Sequence, residues 1–214
     1  MTATIIGTDA RVSADERPIV AGSWKATLSG GMLKVFLATL ALSLPLLEHP
    51  PLPLWVGGLL LSGGLAELVV GWAARRSIVG KVALGSGIIT AVTGLSFMAA
   101  IGMGLGQLTL LTTVWLAVRG LLSLFPVIQW RSSHAARTLL LVRGTTDLAL
   151  GVALLTGVSI SQIALLVFGG TPAMTNGFLV IVAVSFFVAG VGLIAIALSE
   201  FRWERRHTST ALND

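Results

Sequence analysis

Six apolar stretches, at about 28–47, 52–74, 78–101, 105–128, 138–157 and 174–198, limit what this chain can fold into. Each is close to the roughly 20 residues that a helix needs to cross a hydrocarbon core of about 30 Å. In lipid only helices and closed barrels satisfy their own backbone polar groups. Barrel strands alternate apolar and polar residues, and these runs do not. The chain therefore reads as all-α, an integral membrane bundle of six transmembrane helices. Composition agrees, with 11% charged residues against roughly 25% in a soluble domain. So little polar surface does not cover a chain of this size in water.

The links between the runs set the topology. No Lys or Arg falls in the link around Glu48-His49-Pro50-Pro51, near Gly102 to Gly106, or from Gly157 to Asn176. The other links carry Arg75, Arg76 and Lys81, then Arg131 and Arg137. Arg11, Arg17 and Lys25 precede the first run, and Arg202, Arg205 and Arg206 follow the last. All these basic residues fall on one side, which by the positive-inside rule places the N- and C-termini in the cytoplasm. The net charge of +5 is then a cytoplasmic rim facing anionic lipid in the bilayer. The basic residues are spread over four segments, so a nucleic-acid partner is not expected.

The chain also repeats itself. Gly31, Gly87 and Gly144 are 56 and 57 residues apart, and Gly64 and Gly120 are 56 apart. Trp72 with Arg75-Arg76, Trp130-Arg131 and Trp203 with Arg205-Arg206 end successive pairs of runs. Three tandem helical hairpins, at about 28–76, 80–131 and 138–203, account for this. The third is lengthened by an insertion near 159–175 that reads as an interfacial or re-entrant piece on the outer face. A polar tail, 1–27, precedes the membrane domain, 28–200, and a basic tail, 201–214, follows it. The first tail does not read as a signal peptide, lacking a basic region followed by an apolar core and a cleavage site. Gly57, Gly64 and Gly71, then Gly80, Gly87 and Gly94, then Gly144 and Gly151, recur at seven residues, about two helical turns. Each set is expected to form a packing seam, because small residues let helix backbones approach in lipid.

Apart from Lys81, at the basic start of the third run, five charges fall inside the apolar runs: Lys34, Glu67, Arg119, Arg143 and Asp147. At about 1.5 Å per residue, they fall in one layer of the cytoplasmic half. An unpaired charge near the bilayer centre costs at least about 2.5–3.5 kcal/mol, so they should face inward and pair. Arg143 and Asp147, four apart on one helix, can pair directly. Glu67 can take Arg119 or Lys34 from neighbouring helices, with Thr90, Ser123, Thr145 and Thr146 supplying hydrogen bonds. Two readings stand side by side: a polar cluster that binds an ion or relays protons, and a charge network that holds six helices in register.

Other signals are weaker. Gly102-Met-Gly104-Leu-Gly106 has no strand before it and reads as a turn, not a dinucleotide loop. His49, His134 and His207 are far apart and there is no cysteine, so no metal site is expected. No nucleophile–base pair or phosphate loop is present; no enzyme and no cofactor are expected.

Pro45, Gly63-Gly64-Leu-Ala-Glu67 and Arg75-Arg76 look like the first unit of a known pattern. Trp115-Leu-Ala-Val-Arg119-Gly120 with Trp130-Arg131 looks like the second, and Arg143-Gly144 to Gly151 like the start of the third. With these residues the chain, over about 25–206, resembles the HdeD family of bacterial acid-resistance membrane proteins. It departs in the third-hairpin insertion, the longer N-terminal tail and a third run without a closing proline. The resemblance implies a multi-pass protein of the bacterial inner (cytoplasmic) membrane with a non-enzymatic role in acid or envelope stress tolerance. An accessory subunit of a larger membrane complex and a small proton or solute transporter or channel remain open beside it, as does a homo-oligomer.

Overall fold

The computed structural model describes residues 24–43, 52–99, 105–129, 134–156 and 177–210. The tail before Trp24, the proline link at 44–51, Gly102 and Gly104, and the insertion near 159–175 lie outside the described residues. Six helices make up the rest: α1 (Trp24–Ser43), α2 (Leu52–Ala73), α3 (Ile78–Ala99), α4 (Leu105–Gln129), α5 (His134–Leu155) and α6 (Gly177–Thr210). Each is long and apolar enough to cross a membrane. The chain is an all-helical multi-pass membrane protein, with no strand among the described residues.

Two helices begin four residues earlier than the apolar runs suggest, and α6 continues to Thr210. The extra turns are polar helix at the basic end, where side chains cover one another. Trp24 tilts against Phe201 with ring centroids 4.9 Å apart, and the Arg75 and Arg205 guanidinium groups lie over Trp72 and Phe201. Such amphipathic side chains bury their bodies and keep their charges near water.

The helices form a closed ring in chain order, with α6 packed back on α1. The tightest interfaces are not inside the hairpins but between them: α2 with α3, α4 with α5, and α6 with α1. Glycine explains this. Along α2 and α3, Gly57 faces Gly94 and Gly64 faces Gly87, and a Cβ built on any of the four would lie 2.7–2.9 Å from its partner's carbonyl oxygen. A Cβ on Gly71 would likewise meet the carbonyl of Gly80. The antiparallel register matches one seven-residue step against another. The same reciprocal contact joins Gly120 to Gly144, and Gly31 to Gly190. At least one such pair therefore stands at each of the three interfaces, two of them between α2 and α3, so the repeat of the sequence recurs in the packing.

Large side chains fill the ring. Leu60, Phe97, Trp115, Leu116, Ile181 and Phe186 are all buried in one cluster. The outer surface is apolar as well, with Phe36, Val69, Ile88, Leu110, Leu121 and Val152 more than half exposed. Apolar residues inside and outside are what a bilayer solvent selects, since lipid tails exert no hydrophobic pressure on the outer face.

Candidate functional site

The glycine pairs also fix where polar residues arrive. Three residues after Gly31, Gly87 and Gly144 come Lys34, Thr90 and Asp147. Three after Gly64 and Gly120 come Glu67 and Ser123. This offset keeps each side chain on its glycine's helical face but turns it toward the middle of the ring. All five are buried, as are Arg119 and Arg143. The five charges singled out from sequence thus meet in one layer.

Glu67 is the centre of that layer. Its Oε1 accepts from the Lys34 ammonium, from Arg119 Nη2 at 2.9 Å and from Arg143 Nη2 at 2.6 Å. Its Oε2 accepts from the Ser86 hydroxyl at 2.7 Å. Four helices, α1, α3, α4 and α5, therefore converge on one carboxylate of α2. Arg143 Nη2 also reaches Ser86 Oγ at 2.6 Å. Asp147 is held differently. Its Oδ1 accepts from the Ser185 hydroxyl of α6 at 2.6 Å, and its Oδ2 lies 3.4 Å from Arg119 Nε, an ion-pair distance without a hydrogen bond. Arg119 completes the link, with Nη1 donating to Ser185 at 3.2 Å and its guanidinium over the rings of Trp115 and Phe186.

The expected pairing of Arg143 with Asp147 along α5 does not form. Arg143 crosses to Glu67 instead, because Ser86 and Glu67 together satisfy its Nη2 while Asp147 turns to α4 and α6. Glu67 takes both of its expected cations, not one. Thr90 accepts from Trp115 Nε1 at 3.1 Å, which fixes the indole beneath Arg119. Ser123 donates to the Arg119 carbonyl. Thr145 is exposed and bonds back to Leu141 on its own helix, so it is no part of the layer. Ser86, Ser185 and Phe186 belong to the site without having been marked by sequence, and Trp115, marked only as part of the resemblance, joins them. Serine and apolar rings are common in membrane helices, and only the fold reveals that these adjoin a charge. Glu200, a further buried acid, lies eleven residues beyond Ala189 on α6, roughly 16 Å along the helix.

The layer is enclosed. Beside Glu67 and Arg143 is a cavity of about 10 Å³, walled by Val70, Val79, Ala83, Leu139, Leu140, Val188, Ala189 and Leu193. That is room for about one water-sized particle. Among the described residues no three acidic, histidine or cysteine side chains cluster as metal ligands would. What the arrangement does is gather two acidic and three basic side chains into one layer and tie all six helices together through side chains.

No curated protein and no solved structure matches the chain. Residues 85–156, which run from Gly85 of α3 through α4 to the end of α5, match a family described as a short repeat of unknown function (DUF308), a family that includes HdeD-like membrane proteins.

Proposed function

We propose that this is a non-catalytic protein of the bacterial inner membrane, of the HdeD type, whose charge layer is a structural lock and whose role lies in tolerance of acid or envelope stress. One observation carries the lock reading. Glu67 is fully buried and accepts from four side chains on four other helices. A carboxylate in a conduction path needs a file of water beside it; Glu67 is instead held by four donors, and the cavity at its side has room for about one water-sized particle. The stress role rests on the family match and on the resemblance of Gly63–Glu67, Trp115–Gly120 and Arg143–Gly151. The chemistry is compatible with it. Protonating Glu67 would leave Lys34, Arg119 and Arg143 facing one another around a neutral group, with Asp147 and the Ser86 and Ser185 hydroxyls as their remaining partners. The basic end, with Arg75, Arg76, Lys81 and Arg137, is the cytoplasmic one in this reading.

The test is flux. The purified protein, reconstituted in liposomes with a pH-sensitive dye inside, should pass neither protons nor small solutes above the rate of empty liposomes. Its thermal stability should fall from neutral pH to about pH 4, where ordinary carboxyl groups titrate, and fall less in Glu67→Gln. Saturable flux that depends on Glu67 would replace the lock with a transporter. A flat stability profile would remove the proposed link to acid.

A further inference from the structure

Packing divides the six helices differently from the sequence repeat. The glycine seams join α2 to α3, α4 to α5 and α6 to α1, and the interfaces inside the hairpins are looser. Inside the hairpins a glycine meets a side chain instead of a backbone. A Cβ on Gly30, Gly85 or Gly192 would first meet Val70, Leu122 or Leu139, between α1 and α2, α3 and α4, and α5 and α6. A side chain can change rotamer and withdraw; two main chains held in contact have no such freedom.

The charge layer follows this division. Glu67 and Ser86 belong to the α2/α3 pair, Arg119, Arg143 and Asp147 to α4/α5, and Lys34 and Ser185 to α6/α1. Lys34, Arg119 and Arg143 each reach Glu67 from another pair. Arg143 reaches Ser86 and Trp115 reaches Thr90 across the same boundary, and Ser185 joins Arg119 and Asp147 to α6. Among the described residues, the layer's contacts between the two helices of one pair, or within it, are Ser86 to Glu67 and Arg119 to Asp147. The seams build the pairs, and the layer clasps the pairs to one another.

The two ends of the bundle are unlike. On the side of the layer away from Arg75, one large buried cluster draws Leu37, Leu60, Phe97, Trp115, Leu116 and Ile181 from all three pairs. Toward Arg75 the buried clusters are small, with Ala74, Val79, Ala136 and Ile196 in one and Val82, Val127 and Leu140 in another. The cavity beside Glu67 and Arg143 is walled by Val79, Leu140 and Leu193, one from each pair. The pairs therefore meet least completely just on the basic side of the layer.

We propose that the three glycine pairs, and not the sequence hairpins, are the moving bodies of this fold, and that protonation of Glu67 lets them part at the basic end while the opposite end stays packed. The titratable groups facing Glu67 are Lys34 of α1, Arg119 of α4, and Arg143 and Asp147 of α5; α3 and α6 present the hydroxyls of Ser86 and Ser185 to the layer. With Glu67 neutral, the two guanidinium groups lose their shared anion whatever the state of Lys34, and the clasp between pairs loosens. The trigger rests on the acid link proposed above; the division into pairs does not.

The chain has no cysteine, so spin labels can be set in pairs on the full protein in nanodiscs. Their distances are read by electron paramagnetic resonance from neutral pH to about pH 4. Lys81→Cys with Ile128→Cys, and Arg137→Cys with Leu198→Cys, span boundaries between pairs toward the basic end. Val69→Cys with Ile88→Cys, and Leu121→Cys with Thr145→Cys, span seams; all these positions are exposed. Acid should lengthen the first two distances by more than about 2 Å, the scale of a domain rearrangement, and leave the seam distances unchanged. Glu67→Gln should show the longer distances at neutral pH and no further change in acid. Should that variant fail to fold, Asp147→Asn still decides the trigger, because it should keep the acid response. Seam distances that lengthen with the others overturn the division into pairs. A response kept in Glu67→Gln or lost in Asp147→Asn overturns Glu67 as the trigger. Unchanged distances with a stability that falls in acid overturn this proposal and leave the acid link standing, whereas unchanged distances with a flat stability profile remove both.

Discussion

Glu67 and Asp147 are both buried acids placed three residues after a seam glycine, yet they are held in different ways. Glu67 has four side-chain donors from four helices, while Asp147 has one hydrogen bond, from Ser185, and a looser approach from Arg119. The glycine seams beside them differ too. A Cβ on Gly64 would lie 2.6 Å from the backbone nitrogen of Ala91, whereas one on Gly144 first meets side-chain atoms of Leu124, Cγ at 2.7 Å and Cδ2 at 2.8 Å, with the Gly120 carbonyl at 3.0 Å. The contrast teaches that the repeat supplies a frame and not a function. Glu67 follows the second seam glycine of the first hairpin and Asp147 the first of the third. Their equivalents are Ser123 in one case and Lys34 and Thr90 in the other. The same offset from a glycine thus carries an acid, a base or a hydroxyl, and the cations arriving from neighbouring helices decide which acid becomes the centre.

The largest expected effect is on the centre. Glu67→Gln keeps the volume but leaves three cations without their shared anion, and breaking a buried pair in this way costs about 3–5 kcal/mol. Unfolding by steric trapping in bicelles would measure it. Asp147→Asn, by the same method, should cost about 1–3 kcal/mol, the loss of one charged partner and one charge-assisted bond. An Asp147 effect equal to or above that of Glu67 breaks the comparison. At the seams, Gly64→Ala should cost about 1–3 kcal/mol, as overpacking against backbone does. Gly144→Ala should cost less, because its two nearest contacts are with a leucine side chain, which gives way more readily than the main chain that surrounds Gly64. Ser86→Ala and Ser185→Ala are the smallest, about 1 kcal/mol each. Ser86 should be the larger of the two, since it bonds both Glu67 and Arg143.

Much of this frame was legible in the sequence, because lipid leaves few options. Length and apolarity mark six crossings, and a seven-residue glycine step marks faces that admit close approach. The spacing did not mark Gly190. It lies 70 residues after Gly120, where Gly120 lies 56 after Gly64, so the longer third hairpin hides its equivalence. Nor did spacing show that Gly31 and Gly190 close the ring, which is a matter of tertiary packing. The charge layer was legible as a layer but not as a set of partners. Arg143 and Asp147 stand at the spacing of a helical ion pair, yet a long guanidinium reaches across the ring as easily as along its own helix. The serines that decide the outcome, Ser86 and Ser185, carry no signal of their own. Gly151 shares the face of Gly144, but a Cβ there meets only ordinary contacts, at 3.5 Å to Leu116, so the end of α5 is looser than a strict repeat suggests.

The central claim, that Glu67 and not Asp147 is the partner of Arg143, is tested most directly by two double-mutant cycles on stability in the same bicelles. One pairs Arg143→Gln with Glu67→Gln, the other Arg143→Gln with Asp147→Asn. Residues in one buried network couple by about 0.5–3 kcal/mol. The account predicts coupling in the upper half of that range for Arg143 with Glu67 and a clearly smaller value for Arg143 with Asp147. Equal couplings, or a larger one with Asp147, would contradict it and restore the pairing along α5.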